Sequence, residues 1–382
     1  MMMRPMKLAG SELMFGQGCL EYLRTIPAKR AIIVTGGASM AKSGILARVE
    51  GYFHENNVKT RVFSGVEPDP SFATVIQGAK VMLEFSPDLI VALGGGSAMD
   101  AAKAMWVYYE HPELTTLADL LTASPFPKLR QKARLLCIPS TSGTASEVSR
   151  SVVITDEKTG LKHGLGNMEM MPDIAVCDPE VTATMPPHIT AETGMDALTH
   201  ALEAMVSVRA NYLSDIFARA AALDIVRELP AACENGQDMV AREIMLNASM
   251  TAGLAFTNVS LGIVHSMAHA LGGYFHISHG LADAVLLPYV IGFNSGDPRA
   301  KGIYDSFAQA LGSRELAEQI FALNERLSIP RSLSRLIPDE GEFRRKVPEM
   351  AAAAKADGCT KTNPIIPEIS QLEELFYVAY QG

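Results

Sequence analysis

Two rhythms of apolar residues divide the chain. From Lys29 to about Pro179, short runs rich in β-branched residues alternate with stretches whose apolar side chains recur every three to four positions. The runs at 31–35, 60–63, 89–93, 135–138, 152–155 and 174–177 predict strands, and 40–54 and 71–85 predict helices between the first of them. Such alternation is the signature of a parallel α/β layer. After Pro186 and Pro187 strand-like runs become scarce. The pattern there predicts successive helices at 191–206, 212–229, 238–256, 264–271, 282–293, 301–311, 313–327 and 340–356, punctuated by Gly and Pro. The change of rhythm places a boundary near Met185, with an α/β domain over 1–185 and an all-helical domain over 186–382.

Length agrees with two domains, since 382 residues exceed a typical single core. Hydrophobic residues at 48% and charged residues at 20% fit a globular enzyme and are too apolar for disorder. A net charge of −9, with no segregated basic patch, argues against a nucleic-acid partner. The five cysteines are scattered and never form Cys-x-x-Cys, which suits a reducing cytosol. No run of about 20 apolar residues occurs, and MMMRPMKLAG has no continuous apolar core. The expectation is a cytoplasmic chain that spans no membrane.

Candidate chemistry concentrates between Gly194 and Pro288, where five of the nine histidines fall. In GMDALTHALEAM, Asp196 and His200 stand four apart on a predicted helix and share one face. In GIVHSMAHALGG, His265 and His269 repeat that spacing, and His279 follows in FHISHGLADAVLLP. One histidine on an apolar helical face is ordinarily a satisfied core residue. Two such pairs and a further histidine, set among Gly, Ala and Met, are better explained by a divalent cation such as Fe²⁺ or Zn²⁺. Spacing alone leaves open which of His265 and His269 coordinates.

Two loops after predicted strands offer an anion grip. In PDLIVALGGGSAMDAAKA, Gly94, Gly95, Gly96 and Ser97 lie between a strand and a helix, where free N–H groups and the helix dipole bind phosphate. A tight strand-to-helix turn explains the glycines equally well, and Asp100 reads either as a dipole-favoured residue or as a ligand-positioning carboxylate. In IPSTSGTASEVSRS, Ser140, Thr141, Ser142, Thr144 and Ser146 supply hydroxyls within seven residues. A capped turn is the plain alternative. Two such loops on one sheet are the arrangement expected where an α/β sheet holds a nucleotide.

Together GGGSAMDAAK, PSTSGTASE, GMDALTH and HSMAHALGGYFHISHG resemble, in order, the motifs of the iron-containing (group III) alcohol dehydrogenases. The resemblance implies a Rossmann-like dinucleotide-binding α/β domain followed by an all-α metal-binding domain. It gives Asp196, His200, His265 and His279 to the metal, and places His269 near the substrate as the proton relay rather than a primary ligand. It gives Gly95, Gly96, Ser97, Ser140, Thr141 and Thr144 to the dinucleotide, with Lys162 near the nicotinamide ribose. The implied reaction is hydride transfer between NAD(P)(H) and a small primary alcohol or diol and its aldehyde, in a homo-oligomer.

Three departures from the family pattern qualify that picture. Gly36 in AIIVTGGASM stands where many NAD-preferring members carry Asp. Without that charge Gly36, Gly37 and Ser39, with Lys42 one turn on, offer donors to a 2′-phosphate, so the coenzyme expected is NADP(H) ahead of NAD(H). Asp69 replaces a common Asn near the dinucleotide, and Asp283 replaces a usual Asn beside His279. Rival readings are a glycerol-dehydrogenase-like zinc enzyme, a metal-free maleylacetate-reductase-like enzyme, or a non-catalytic metal- or nucleotide-binding protein.

Overall fold

A computed structural model describes residues 6–157 and 160–382. The chain divides between Met185 and Pro186 into two compact units. The strands of the first are β1 (Glu12–Phe15), β2 (Arg30–Gly36), β3 (Lys59–Val66), β4 (Leu89–Gly94), β5 (Arg134–Pro139), β6 (Ser151–Asp156), β7 (Leu161–Gly166) and β8 (Ile174–Cys177). Its helices are α1 (Ser39–Lys42), α2 (Ile45–Glu55), α3 (Phe72–Phe85), α4 (Gly96–Glu110) and α5 (Leu117–Leu121). One sheet has the order β1-β8-β5-β4-β2-β3, with every pair parallel.

Alternate residues of β2 explain the layering. Ile32 and Val34 join a core with Ile90, Ala92, Leu135, Met105 and Trp106. Ala31 and Ile33 join another with Val91, Leu93, Leu136, Val49 and Phe53. Both faces are covered, so the central strands read as continuous apolar runs. Counted from β2, the strands β3-β2-β4-β5-β8 follow a 2-1-3-4-5 order. That order changes direction between β2 and β4, and the crevice at their carboxyl ends is where such sheets hold nucleotides.

Local differences from the sequence-based expectation have physical causes. The run at 152–155 is a strand, but β6 pairs antiparallel with β7 in a separate two-stranded sheet. Val152 and Ile154 still bury against the α4 side of the core, which accounts for their pattern. The helix expected at 40–54 turns at Ser43 and Gly44 and becomes α1 and α2. Strand β1 is four residues long and half-buried, and β7 (LKHGLG) lacks β-branched residues, so neither announces itself.

The second unit holds α6 (Pro187–Val206), α7 (Tyr212–Glu234), α8 (Met239–Val259), α9 (Ile263–Phe275), α10 (His279–Asn294), α11 (Pro298–Ala310), α12 (Leu316–Arg326), α13 (Glu340–Ala356) and α14 (Ile369–Gln381). Helix α6 packs against α7, α8 and α10, and every residue from Gly194 to Val206 is buried. Leu198 and Leu202 on it contribute about 1.5–3 kcal/mol each by burial. Its polar residues are therefore buried too, and need partners. Among the described residues no single helix is long and apolar enough to cross a membrane.

Candidate metal centre and nucleotide cradle

Three helices of the second unit converge their polar residues. Helix α6 carries Asp196, His200 one turn on, and Glu203; α9 carries His265 and His269. Helix α9 ends at His276, whose φ of 55° is left-handed, and α10 restarts at His279 with Asp283 one turn further. A Cβ on Gly280 would stand 2.2 Å from the Glu192 carbonyl oxygen. Only glycine lets the first turn of α10 lie against α6, which brings His279 beside Asp196.

Three imidazole nitrogens face one oxygen. Asp196 Oδ1 lies 3.5 Å from His200 Nε2, 3.6 Å from His265 Nε2 and 3.8 Å from His279 Nε2. Ligand atoms about 2.1 Å from a tetrahedral cation are about 3.4 Å apart, close to these separations. Asp196 Oδ1 and His265 Nε2 are buried without a hydrogen-bond partner. Leaving such atoms bare costs about 1–3 kcal/mol each, and a cation would recover it. The donor set, imidazole plus carboxylate, suits Fe²⁺ or Zn²⁺.

Electrostatics within the cluster conflict. Burial works to raise the Asp196 carboxyl, but the rings of His200, His265 and His279 hold it well below the usual carboxylate range. Burial pushes Asp283 well above it. Burial also opposes charge on His265, yet the carboxylates of Asp283 and Glu203 outweigh it and hold that imidazole well above its ordinary value. His279 is driven well below by burial. Neighbouring groups pushed so far apart are the pattern expected of a functional site.

Residues to which the sequence reading gave no role complete the centre. His265 Nδ1 is 2.7 Å from Glu203 Oε2, and the Val264 N–H donates to Glu203 Oε1 at 2.7 Å. Holding Nδ1 on a carboxylate leaves Nε2 turned towards Asp196. Glu203 sits seven residues after Asp196, on the same helical face, so its signal was present. Asp357 lies 2.9 Å from His269 Nδ1 and accepts from the Cys359 N–H and Ser266 Oγ. Burial raises the Asp357 carboxyl, but the bond with His269 wins and keeps it well below its ordinary value. Asp283 joins Asp196, His265 and His279 in a group whose ligand atoms all lie within 4.8 Å of one another. His200 stands outside that group of four, although it reaches Asp196. His269 stacks on His279 with centroids 5.1 Å apart, beside the group and outside it.

In the first unit, the sequence-predicted loops meet at the carboxyl ends of β2, β4 and β5. A Cβ on Gly94 would lie 3.9 Å from Gly36 N, one on Gly95 3.3 Å from Thr141 Cγ2, and one on Gly96 2.8 Å from Thr144 Cγ2. The Ser140 N–H donates to the Gly94 carbonyl at 2.9 Å. Helix α4 starts at Gly96 with no side chain capping it, so its first N–H groups remain available to an anion. Thr141 Oγ1 and Ser142 Oγ are buried without hydrogen-bond partners. Bare glycine backbone and orphaned hydroxyls fit a dinucleotide.

Other predicted residues have additional duties. Asp100 accepts from Ser146 Oγ at 2.9 Å and from the Val153 N–H at 2.9 Å, so it ties the second loop and β6 to α4. Lys103 braces the same loop from within, donating to Ser146 Oγ and to the Ser149 and Ser151 carbonyls. Lys162 forms a 2.7 Å ion pair with Asp69, whose N–H reaches Ser97 Oγ at 3.3 Å. Gly37 follows β2 with φ 25°, and Ser39 opens α1. Gly36 also has a packing role, because a Cβ there would sit 3.1 Å from the Val66 carbonyl oxygen.

Comparison with known proteins places these motifs. Residues 10–179 match the family described as iron-containing alcohol dehydrogenase, and residues 190–380 the Fe-containing alcohol dehydrogenase family, C-terminal. The chain is 43% identical over 380 residues to an NADPH-dependent butanol dehydrogenase of Clostridium saccharobutylicum, covering 97% of each. It is 39% identical over 402 residues to aldehyde-alcohol dehydrogenase 2 of Entamoeba histolytica, covering 97% of this chain and 46% of that protein, about half its length. A solved iron-containing alcohol dehydrogenase from Thermococcus thioreducens matches with a TM-score of 0.90 at 34% identity, covering 100% of both chains. The chain belongs to the iron-containing alcohol dehydrogenase family.

Proposed function

We propose that this member of the iron-containing alcohol dehydrogenase family interconverts small primary alcohols or diols and their aldehydes. It uses a divalent metal held by Asp196, His200, His265 and His279, and NADP(H) in preference to NAD(H). The observation that carries the reading is the convergence of three Nε2 atoms on Asp196 Oδ1 at 3.5–3.8 Å, with Asp196, His200 and His265 buried and His279 partly exposed. When bound, the metal supplies Lewis acidity towards the substrate oxygen and the nicotinamide ring supplies or takes the hydride.

The chain's own residues do the rest. Asp196 and the three imidazoles hold the cation on helices rather than loops, which favours a fixed geometry. Glu203 keeps His265 Nδ1 engaged, so that its Nε2 is the ligand atom. Asp357 does the same for His269, whose Nε2 is then free to pass a proton between the substrate hydroxyl and water. The His269 side chain is 29% exposed, which gives the proton a route to solvent. In the first unit the glycine backbone of 94–96 and the hydroxyls of Ser97, Ser140, Thr141 and Thr144 hold the dinucleotide, with Lys162 at the ribose.

Coenzyme preference rests on the missing carboxylate at Gly36 and the cation of Lys42 in α1, and is supported by the NADPH dependence of the Clostridium relative. That relative's substrate, butanol, supports a small primary alcohol. None of the five cysteines is in a disulfide, in keeping with a reducing cytoplasm. The test is a coenzyme-oxidation assay of anaerobically iron-loaded protein with butanal. Faster oxidation of NADPH than NADH is expected. No turnover with either coenzyme overturns the reading, and a preference for NADH overturns its coenzyme half.

A further inference from the structure

The side chain that the resemblance leaves without a task is Asp283. It lies one turn after His279 on α10 and is fully buried, and neither of its oxygens has a hydrogen-bond partner. Its Oδ2 lies 3.2 Å from His279 Nε2 and 3.9 Å from His265 Nε2, the same two atoms that face Asp196. A buried carboxylate with bare oxygens is costly, and one placed within 4.8 Å of a second carboxylate more so. An Asn at this position could turn an amide to its neighbours. Asp can only accept while charged, and around it stand ring nitrogens of His265 and His279 already claimed by the cation.

We propose that Asp283 is a second carboxylate ligand of the metal, giving this chain a centre of two acidic oxygens and imidazoles where the family pattern has one carboxylate. The inference rests on the metal reading above. Coordination would give the two bare, buried oxygens of Asp283 a partner, and so recover the cost of leaving them unpaired. A second hard oxygen also moves the site's preference from Zn²⁺ towards Fe²⁺ and Mn²⁺, and raises affinity for all three.

The test is equilibrium competition against a metal-binding dye under anaerobic conditions, with Zn²⁺, Fe²⁺ and Mn²⁺, on the unsubstituted protein, Asp283→Asn and His265→Ala. Asp283→Asn should bind each metal more than about 100-fold more weakly, beyond the range of residues that only orient a ligand, with the larger losses for Mn²⁺ and Fe²⁺. If His265→Ala loses metal and Asp283→Asn binds as tightly as the unsubstituted protein, this proposal is wrong while the metal reading stands. If His265→Ala also binds normally, both fall. An anomalous-difference map of unsubstituted, metal-loaded crystals decides without any variant. A metal about 2.0–2.2 Å from an Asp283 oxygen supports the ligand assignment, and one beyond about 3 Å overturns it.

Discussion

Each unit buries a cluster of charged residues, and the two clusters are finished in different ways. In the first, Lys103 is fully buried and uses all three ammonium donors on Ser146, Ser149 and Ser151, while Asp100 accepts from Ser146 and Val153. In the second, Asp196, His265 and Asp283 meet with bare ligand atoms. The first cluster is complete as protein and shapes a loop. The second keeps bare ligand atoms that a cation would satisfy. What the first unit leaves open is neutral, the hydroxyls of Thr141 and Ser142 and backbone N–H groups, and costs less to leave unpaired than the charged atoms of the second.

Substitutions that treat the two clusters alike should therefore have unlike results. The largest effect is expected from His265→Ala, which should cut metal affinity by more than the roughly 100-fold ceiling of changes one shell out, and abolish turnover. Elemental analysis and rate together check it; full metal occupancy with normal turnover would show the ligand assignment to be wrong. Lys103→Met should leave metal content untouched and destabilise the first unit by about 1–3 kcal/mol for each carbonyl it strands, those of Ser149 and Ser151. Denaturant unfolding read beside metal analysis would expose any crossover between the two effects.

A pH series sharpens the contrast. Burial pushes Glu147, beside Lys103, up to about 7. The folded chain then holds that proton more tightly than the unfolded one, so stability should fall as pH rises from about 4.5 through 7 and level off above. Its share is at most about 3 kcal/mol, and Glu147→Gln should flatten the slope by that amount. An undiminished slope after the substitution would place the titration elsewhere. Smaller again is Asp357→Asn, expected to lower kcat about tenfold through misdirection of His269 while leaving metal content and coenzyme KM unchanged. Restoration by Asp357→Glu would separate orientation of the ring from a merely structural loss.

The same contrast explains what could be read from the residues alone. Central strands such as β4 and the i, i+4 pairs Asp196/His200 and His265/His269 announce themselves because their signal is local. The α14 face of Leu372, Leu375, Phe376 and Ala379 was equally local and is absent from the expected helices. Glu203 was visible as a neighbour on the α6 face, but buried glutamates carry no label until the partner, 62 residues away, is placed. Asp357 is 88 residues from His269 and joins it only through the fold. The same holds for Lys162 on β7, whose partner Asp69 comes from the loop after β3. The strand at 152–155 reads as part of the parallel layer because period-two burial does not say which sheet supplies the covering layer.

The central claim, that the helical unit's cation makes hydride transfer possible, is tested most directly by stepwise reconstitution. Protein stripped by chelation would be titrated anaerobically with Fe²⁺, with bound metal and butanal-dependent NADPH oxidation measured at each step. The account predicts no turnover in the stripped protein and a rate that rises in proportion to bound metal, ending at one ion per chain. Undiminished turnover in the fully stripped protein would contradict it.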